Sequence, residues 1–218
     1  MFLYTDIETL PARDKKKIDE VTKSLKPPSN YKNPEVIEKW FTENTAEAVA
    51  KTSFDPAYGE IACIGWNYIG NDVDISECPS QMSMNEKLMI ETFIHGVSQV
   101  VGTHHPLVVT HNGNGFDLPF IRKRCIVHGI KLPAWFPRDL KPWGTETFDT
   151  MLQWDAKSYI SMDRLAKLFG ISGKGDVDGS MVAEMWANGK QQEVVDYCIK
   201  GDVPTLREIH EHMMKALS

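Results

Sequence analysis

Apolar positions fall first into strand-like runs and later into helical spacing. Residues 2–7 are apolar and β-prone and end in acids, residues 60–69 form a second run, and the two are expected to lie side by side in one sheet. Asn71-Asp72 is expected to turn the chain into a third strand at 73–77, the pattern of a hairpin or meander. Over 85–101, Leu88, Met89, Thr92, Phe93 and Val97 share one helical face. A short buried strand at 107–110 follows, then a helix over 117–128 that accepts Pro119 because first-turn amides have no intrahelical partner. Residues 147–152 read as a short strand or a helix start, and helical stretches follow at 161–169, 179–187 and 191–215. Early strands, a crossover helix, another strand and then helices predict an α/β fold, a mixed sheet flanked by helices.

Between the first two strands, residues 11–54 read as an inserted helical segment in a single domain spanning 1–218. The segment opens with Lys15, Lys16 and Lys17 and breaks at Pro27-Pro28-Ser29-Asn30. A helix then starts with Asn33 as N-cap and Pro34 at its first position. Val36, Ile37, Trp40, Phe41 and Val49 give it an apolar stripe, expected to pack on the domain, as core cover or as a substrate lid.

Composition narrows the class. The 218 residues are 42% hydrophobic and 25% charged, enough for a full core, which excludes wholesale disorder. No run reaches the length of a membrane span, and the opening Met1-Phe2-Leu3-Tyr4-Thr5-Asp6 lacks a signal peptide's basic start and long apolar middle, so the expected location is cytoplasmic, with no membrane partner. Cys63, Cys78, Cys125 and Cys198 are far apart in sequence and form no CxxC pair, so they read as reduced thiols. The net charge of −6 argues against coating nucleic acid by bulk charge but leaves room for a local basic stripe.

Three blocks carry candidate chemistry. In Asp6-Ile7-Glu8 the two acids share a strand face about 6.8 Å apart, close enough to share a divalent ion. About one Asp-x-Glu is expected by chance in such a chain, so context decides its meaning. Thr110-His111-Asn112-Gly113-Asn114-Gly115-Phe116-Asp117 is a strand, a Gly-rich turn and a helix start; Asp117 is either an N-cap or a site acid, and Phe116 can support a base or sugar. Asp196-Tyr197-Cys198-Ile199-Lys200-Gly201-Asp202 brings a phenol and a carboxylate together late in the chain.

Together the blocks resemble the DEDD superfamily of 3'-5' exonucleases, which have a ribonuclease H-like fold. They are most similar to stand-alone predicted exonucleases related to the proofreading domain of family B DNA polymerases. The family's Asp-x-Glu is matched by Asp6 and Glu8, its Asn followed by Phe-Asp by Asn112, Phe116 and Asp117, and its Tyr and Asp by Tyr197 and Asp202. The stretch 169–179 resembles the subfamily's connection into the last helices.

The resemblance implies metal-dependent removal of nucleotides from a 3' end, with release of nucleoside 5'-monophosphates. Asp6, Glu8, Asp117 and Asp202 would hold two Mg²⁺ or Mn²⁺ ions, Tyr197 would orient the attacking water, and Thr9 and Leu10 would lie beside the terminal nucleotide. Single-stranded nucleic acid is the implied partner, DNA favoured over RNA. The alternatives are a 3'-5' exoribonuclease on short RNA and a catalytically inactive nucleic-acid binding module of the same fold. No polymerase domain fits in 218 residues, so any proofreading is expected in trans or within a replication or repair assembly, with the oligomeric state open.

One spacing departs from the family. Tyr197 and Asp202 are five apart, where the Tyr-type enzymes have four. Five residues of regular helix leave two side chains about 140° apart, whereas four leave about 40°. With Gly201 and Pro204 loosening this turn, the spacing predicts a π-bulge or kink over 197–202. In the alternative, Tyr197 points into the core and Cys198 faces the site. For substrate phosphates, Arg122, Lys123, Arg124 and His128 form a cationic patch or a solvated helix face, with Lys131, Arg138 and Lys141 near. Trp135, Phe136 and Trp143 would stack bases or pack in the core. His104, His105 and His111 lack a spaced third metal ligand, and no dinucleotide fingerprint, P-loop or nucleophile elbow is present.

Overall fold

In a computed structural model, residues 1–70, 72–172 and 178–217 are described; Asn71 of the expected turn and residues 173–177 of the 169–179 connection lie outside them. The chain forms two compact units, Met1–Glu8 with Ile61–Ser218, and Thr9–Glu60.

The first unit is built on a five-stranded sheet of order β3-β2-β1-β4-β5. Its strands are β1 (Phe2–Leu10, whose last two residues enter the second unit), β2 (Glu60–Gly70), β3 (Val73–Glu77), β4 (Leu107–Thr110) and β5 (Thr147–Asp149). β1 with β4 and β4 with β5 run parallel, whereas β2 and β3 form an antiparallel hairpin, so the sheet is mixed. Residues 147–152 prove to be both strand and helix start, because Asp149 ends β5 and caps the next helix, accepting from the amides of Met151 and Leu152.

Helices cover both faces, and alternation along β1 divides the core accordingly. Leu3 and Ile7 pack with Met89, Ile90 and Phe93 of α3 (Glu86–Val101) and with Leu118 and Ile121 of α4 (Asp117–His128). Tyr4 faces the other way, with Val109 and Phe148, toward Leu165 of α6 (Met162–Leu168) and Leu206 and Ile209 of α9 (Val203–Leu217). Gly129 ends α4 at φ 66°, a left-handed conformation that favours glycine. After α5 (Thr150–Trp154), α6 (Met162–Leu168) and α7 (Val182–Ala187), the chain enters α8 (Gln191–Asp196), a π-helical turn over Tyr197–Asp202, and α9 (Val203–Leu217). The π turn is the irregularity that the five-residue spacing predicts.

The second unit holds α1 (Lys15–Ser24) and α2 (Pro34–Ala50). α1 was not expected, because Lys-rich sequence masks the Asp14 cap, whose carboxylate accepts from the Lys16 amide at 2.7 Å. α2 starts as expected, with Asn33 accepting from the Glu35 amide and Pro34 at the first position. Its apolar stripe buries no residue, and Trp40 and Phe41 meet edge to face. Among the described residues no helix is long and apolar enough to cross a membrane.

Candidate active site

Asp6 and Glu8 stand two apart on β1, on the Tyr4 side of the strand, the face that α9 covers. Asp202 ends the π turn that leads into α9. One carboxylate oxygen from each of Asp6, Glu8 and Asp202 lies within 4.8 Å of the other two. Glu8 and Asp202 are buried and Asp6 is half-buried. Such a concentration of negative charge at low exposure is costly by itself and suits a bound cation.

Asp117 joins from α4. It is the first helical residue and not the cap; Phe116 precedes it at φ −125° and ψ −72° and contributes no side-chain cap. The pairing of β4 with β1 ends at Tyr4 and Val109, and three residues on the amide of Ile7 donates to Asp117 Oδ1 at 3.1 Å. Burial pushes the Asp117 carboxyl up to about 7; the Ile7 amide opposes this, while the charges of Asp149 and Asp202 add to it.

The turn before Asp117 is held from below. Asn112 adopts a positive φ of 61°, which Asn tolerates better than most residues. The amides of Asn112 and Asn114 donate to the two oxygens of Asp149 at 2.9 and 3.0 Å. Asp149 is thus a positioning acid for this loop that sequence reasoning missed. Its signal was the cap position at the strand-to-helix change. Phe116 is half-buried and meets Phe120 edge to face, at a ring distance of 5.5 Å.

The π turn decides what faces the acids. Cys198 Sγ lies 3.7 Å from the Asp6 carbonyl oxygen and 3.9 Å from Asp6 Oδ2. Cys198 therefore lines the acidic group, while Tyr197 is buried in the same turn. Thr9 and Leu10 follow Glu8 directly and complete β1.

The cationic patch needs correcting. Arg124 is only 2% exposed, and its Nε donates to Glu86 Oε1 at 2.9 Å within a buried ion pair. A guanidinium taken out of water needs such a partner, so Arg124 is structural and does not face a substrate. Glu86 also accepts from the Ile61 amide at 2.8 Å and lies 2.7 Å from His128 Nε2. The patch on α4 is left with half-buried Arg122 and exposed Lys123. Of the three aromatics, Trp135 and Phe136 are core residues and Trp143 is 78% exposed. His111 is tied to Thr150 Oγ1 and the Ile160 carbonyl at 2.8 and 2.9 Å, in keeping with a structural histidine.

A family described as a predicted 3'-5' exonuclease related to the exonuclease domain of PolB matches residues 60–206. The chain belongs to that family. The part matched to this exonuclease family holds Asp117, Tyr197 and Asp202 but not β1, so Asp6 and Glu8 enter the site through the fold. The family B DNA polymerase from the hyperthermophilic archaeon Pyrobaculum calidifontis is similar in structure, with a TM-score of 0.59 and 15% sequence identity. That likeness covers 98% of this chain and 24% of the polymerase, so the chain spans about a quarter of the polymerase's length. At this identity the likeness is one of fold, and the mixed five-stranded sheet is ribonuclease H-like. No curated protein sequence matches the chain.

Proposed function

We propose that this member of the PolB-exonuclease-related family is a metal-dependent 3'-5' exonuclease that shortens single-stranded DNA and releases nucleoside 5'-monophosphates. The observation that carries this reading is the convergence of Asp6, Glu8 and Asp202 within 4.8 Å, from a strand and a π turn far apart in sequence. An oxygen-only donor set suits Mg²⁺ or Mn²⁺ better than softer ions, and with Asp117 it offers ligands for two. When bound, these ions supply the Lewis acidity that makes water a competent nucleophile and neutralises charge on the scissile phosphate.

The chain's own groups do the rest. The phenol of Tyr197 orients the water whose oxygen bonds to phosphorus as the bond from phosphorus to the 3' oxygen breaks; the departing oxygen takes up a proton. Thr9 and Leu10 flank the terminal nucleotide, Asn112 and Phe116 support its sugar and base, and Arg122 meets a phosphate. Asp149 works indirectly, by holding the Asn112–Asn114 backbone in place.

The test is digestion of a 5'-labelled single-stranded DNA oligomer and its RNA twin with Mg²⁺, Mn²⁺ or EDTA, using wild type and Asp6→Ala. A metal-dependent ladder receding from the 3' end of DNA, absent in the variant, is the expected result. Faster shortening of the RNA would make the chain an exoribonuclease. Binding without cleavage of either strand would make it an inactive binding module.

A further inference from the structure

Next to the carboxylates lies a second group of ligand atoms of different chemistry. Cys63, Cys78 and Cys198 come from β2, from the residue after β3 and from the π turn, and their three sulfurs lie within 4.8 Å of one another. All are free thiols; Cys63 and Cys198 are buried and Cys78 is half-buried.

The β2–β3 hairpin builds two-thirds of this group. Its register pairs Trp66 with Glu77 and continues to a bridge between Cys63 and Ser80, which sets Cys78 opposite Gly65. Cys63 and Gly65 share a face of β2, so the two cysteines are diagonal neighbours around a residue with no side chain. A Cβ on Gly65 would stand 2.6 Å from Cys198 Sγ, so the third sulfur occupies the space that glycine leaves open.

We propose that Cys63, Cys78 and Cys198 form a site for a thiophilic dication of the Zn²⁺ type, distinct from the oxygen-ligand site for Mg²⁺ or Mn²⁺. Zinc–thiolate bonds of about 2.3 Å require sulfurs about 3.8 Å apart, so shifts of about 1 Å close the group around an ion. Sulfur ligands select such an ion over Mg²⁺. Cys78 is the one half-buried member, so an ion would enter from its side, with water as its fourth ligand. Binding displaces up to three thiol protons to solvent, one from each cysteine. Because Cys198 Sγ stands 3.9 Å from Asp6 Oδ2, a loaded thiolate site fixes the turn that carries Asp202 beside the strand that carries Asp6.

The test uses full-length, fully reduced protein titrated with Co²⁺ as an optical probe and then with Zn²⁺. Only sulfur ligation gives the intense near-ultraviolet thiolate-to-cobalt band. The expected result is one equivalent of Co²⁺ producing that band, its displacement by Zn²⁺, its survival in Asp202→Asn, and an affinity about a hundredfold weaker in Cys78→Ser. Cys63→Ala serves as a second ligand variant, with circular dichroism on both to separate misfolding from ligand loss. Absence of the band in wild type overturns the proposal whether or not either variant folds. An undiminished band in folded Cys78→Ser would also overturn it, as would a disulfide among the three, found by alkylation and mass spectrometry, in place of metal uptake.

Discussion

The amide of Ile7 donates to Asp117 Oδ1 across 3.1 Å, and that amide lies between Asp6 and Glu8 on the same strand. One hydrogen bond thus couples the start of α4 to the stretch of β1 that carries two other acids. It also explains why Asp117 does not cap its own helix: its oxygen is turned to an amide on β1 beyond the stretch that pairs with β4.

The carboxyl of Asp117 gives the metal-free protein a distinctive pH response. Its folded pKa of about 7 lies above the ordinary 3.8, so the proton is held more tightly in the folded state. The associated stability is fully present below 3.8 and is lost as pH rises to about 7. In EDTA, the Tm of wild type should fall relative to that of Asp117→Asn as pH is raised through this window. A pH-independent difference between the two melting curves would refute the buried-acid assignment.

Tyr197→Phe removes one hydroxyl from a buried side chain and leaves the four proposed acid ligands in place. Turnover on single-stranded DNA should fall about a hundredfold, while Mn²⁺ affinity measured by calorimetry should stay within error of wild type. Loss of affinity alongside rate would assign Tyr197 a structural role, and an unchanged rate would move water orientation to another group.

Much of this arrangement is legible in the residues because local signals agree with tertiary ones. Asn33-Pro34 marks a helix start, Asn85 another, and the alternation around Asp6 and Glu8 sets both acids on one face. Even the π turn follows from counting residues between Tyr197 and Asp202. Other features depend on partners distant in sequence. Arg124 sits among basic neighbours and reads as solvated, yet the fold turns it inward onto Glu86. The convergence of three cysteines is invisible without the hairpin register and the Gly65 gap.

Glu86→Gln tests the buried ion pair. Burial opposes ionisation of this carboxyl, but hydrogen bonds from Arg124, His128 and the Ile61 amide hold it below the usual carboxylate range. Its stabilisation is therefore present above the ordinary 4.5 and disappears as pH falls through the lowered folded value. The variant leaves the Arg124 guanidinium buried without a counter-charge, which should lower stability by about 3–5 kcal/mol in urea unfolding at neutral pH. The gap between the two proteins should narrow in acid. An equal gap at both pH values would mean that lost packing, not lost charge, is responsible.

Gly65→Ala probes the seat of the π turn. The new methyl would stand 2.6 Å from Cys198 Sγ and 3.0 Å from Val203 Cγ2, both on buried residues with little room to withdraw. Overpacking of this kind costs about 1–3 kcal/mol. Because Asp202 ends the displaced turn, the acids on β1 and the π turn should separate, weakening Mn²⁺ binding about tenfold. Shortening the opposing side chain by Cys198→Ala should restore space, so the double variant should recover both stability and Mn²⁺ affinity relative to Gly65→Ala alone. A double variant no better than the single one would show that the sulfur is not what Gly65 accommodates.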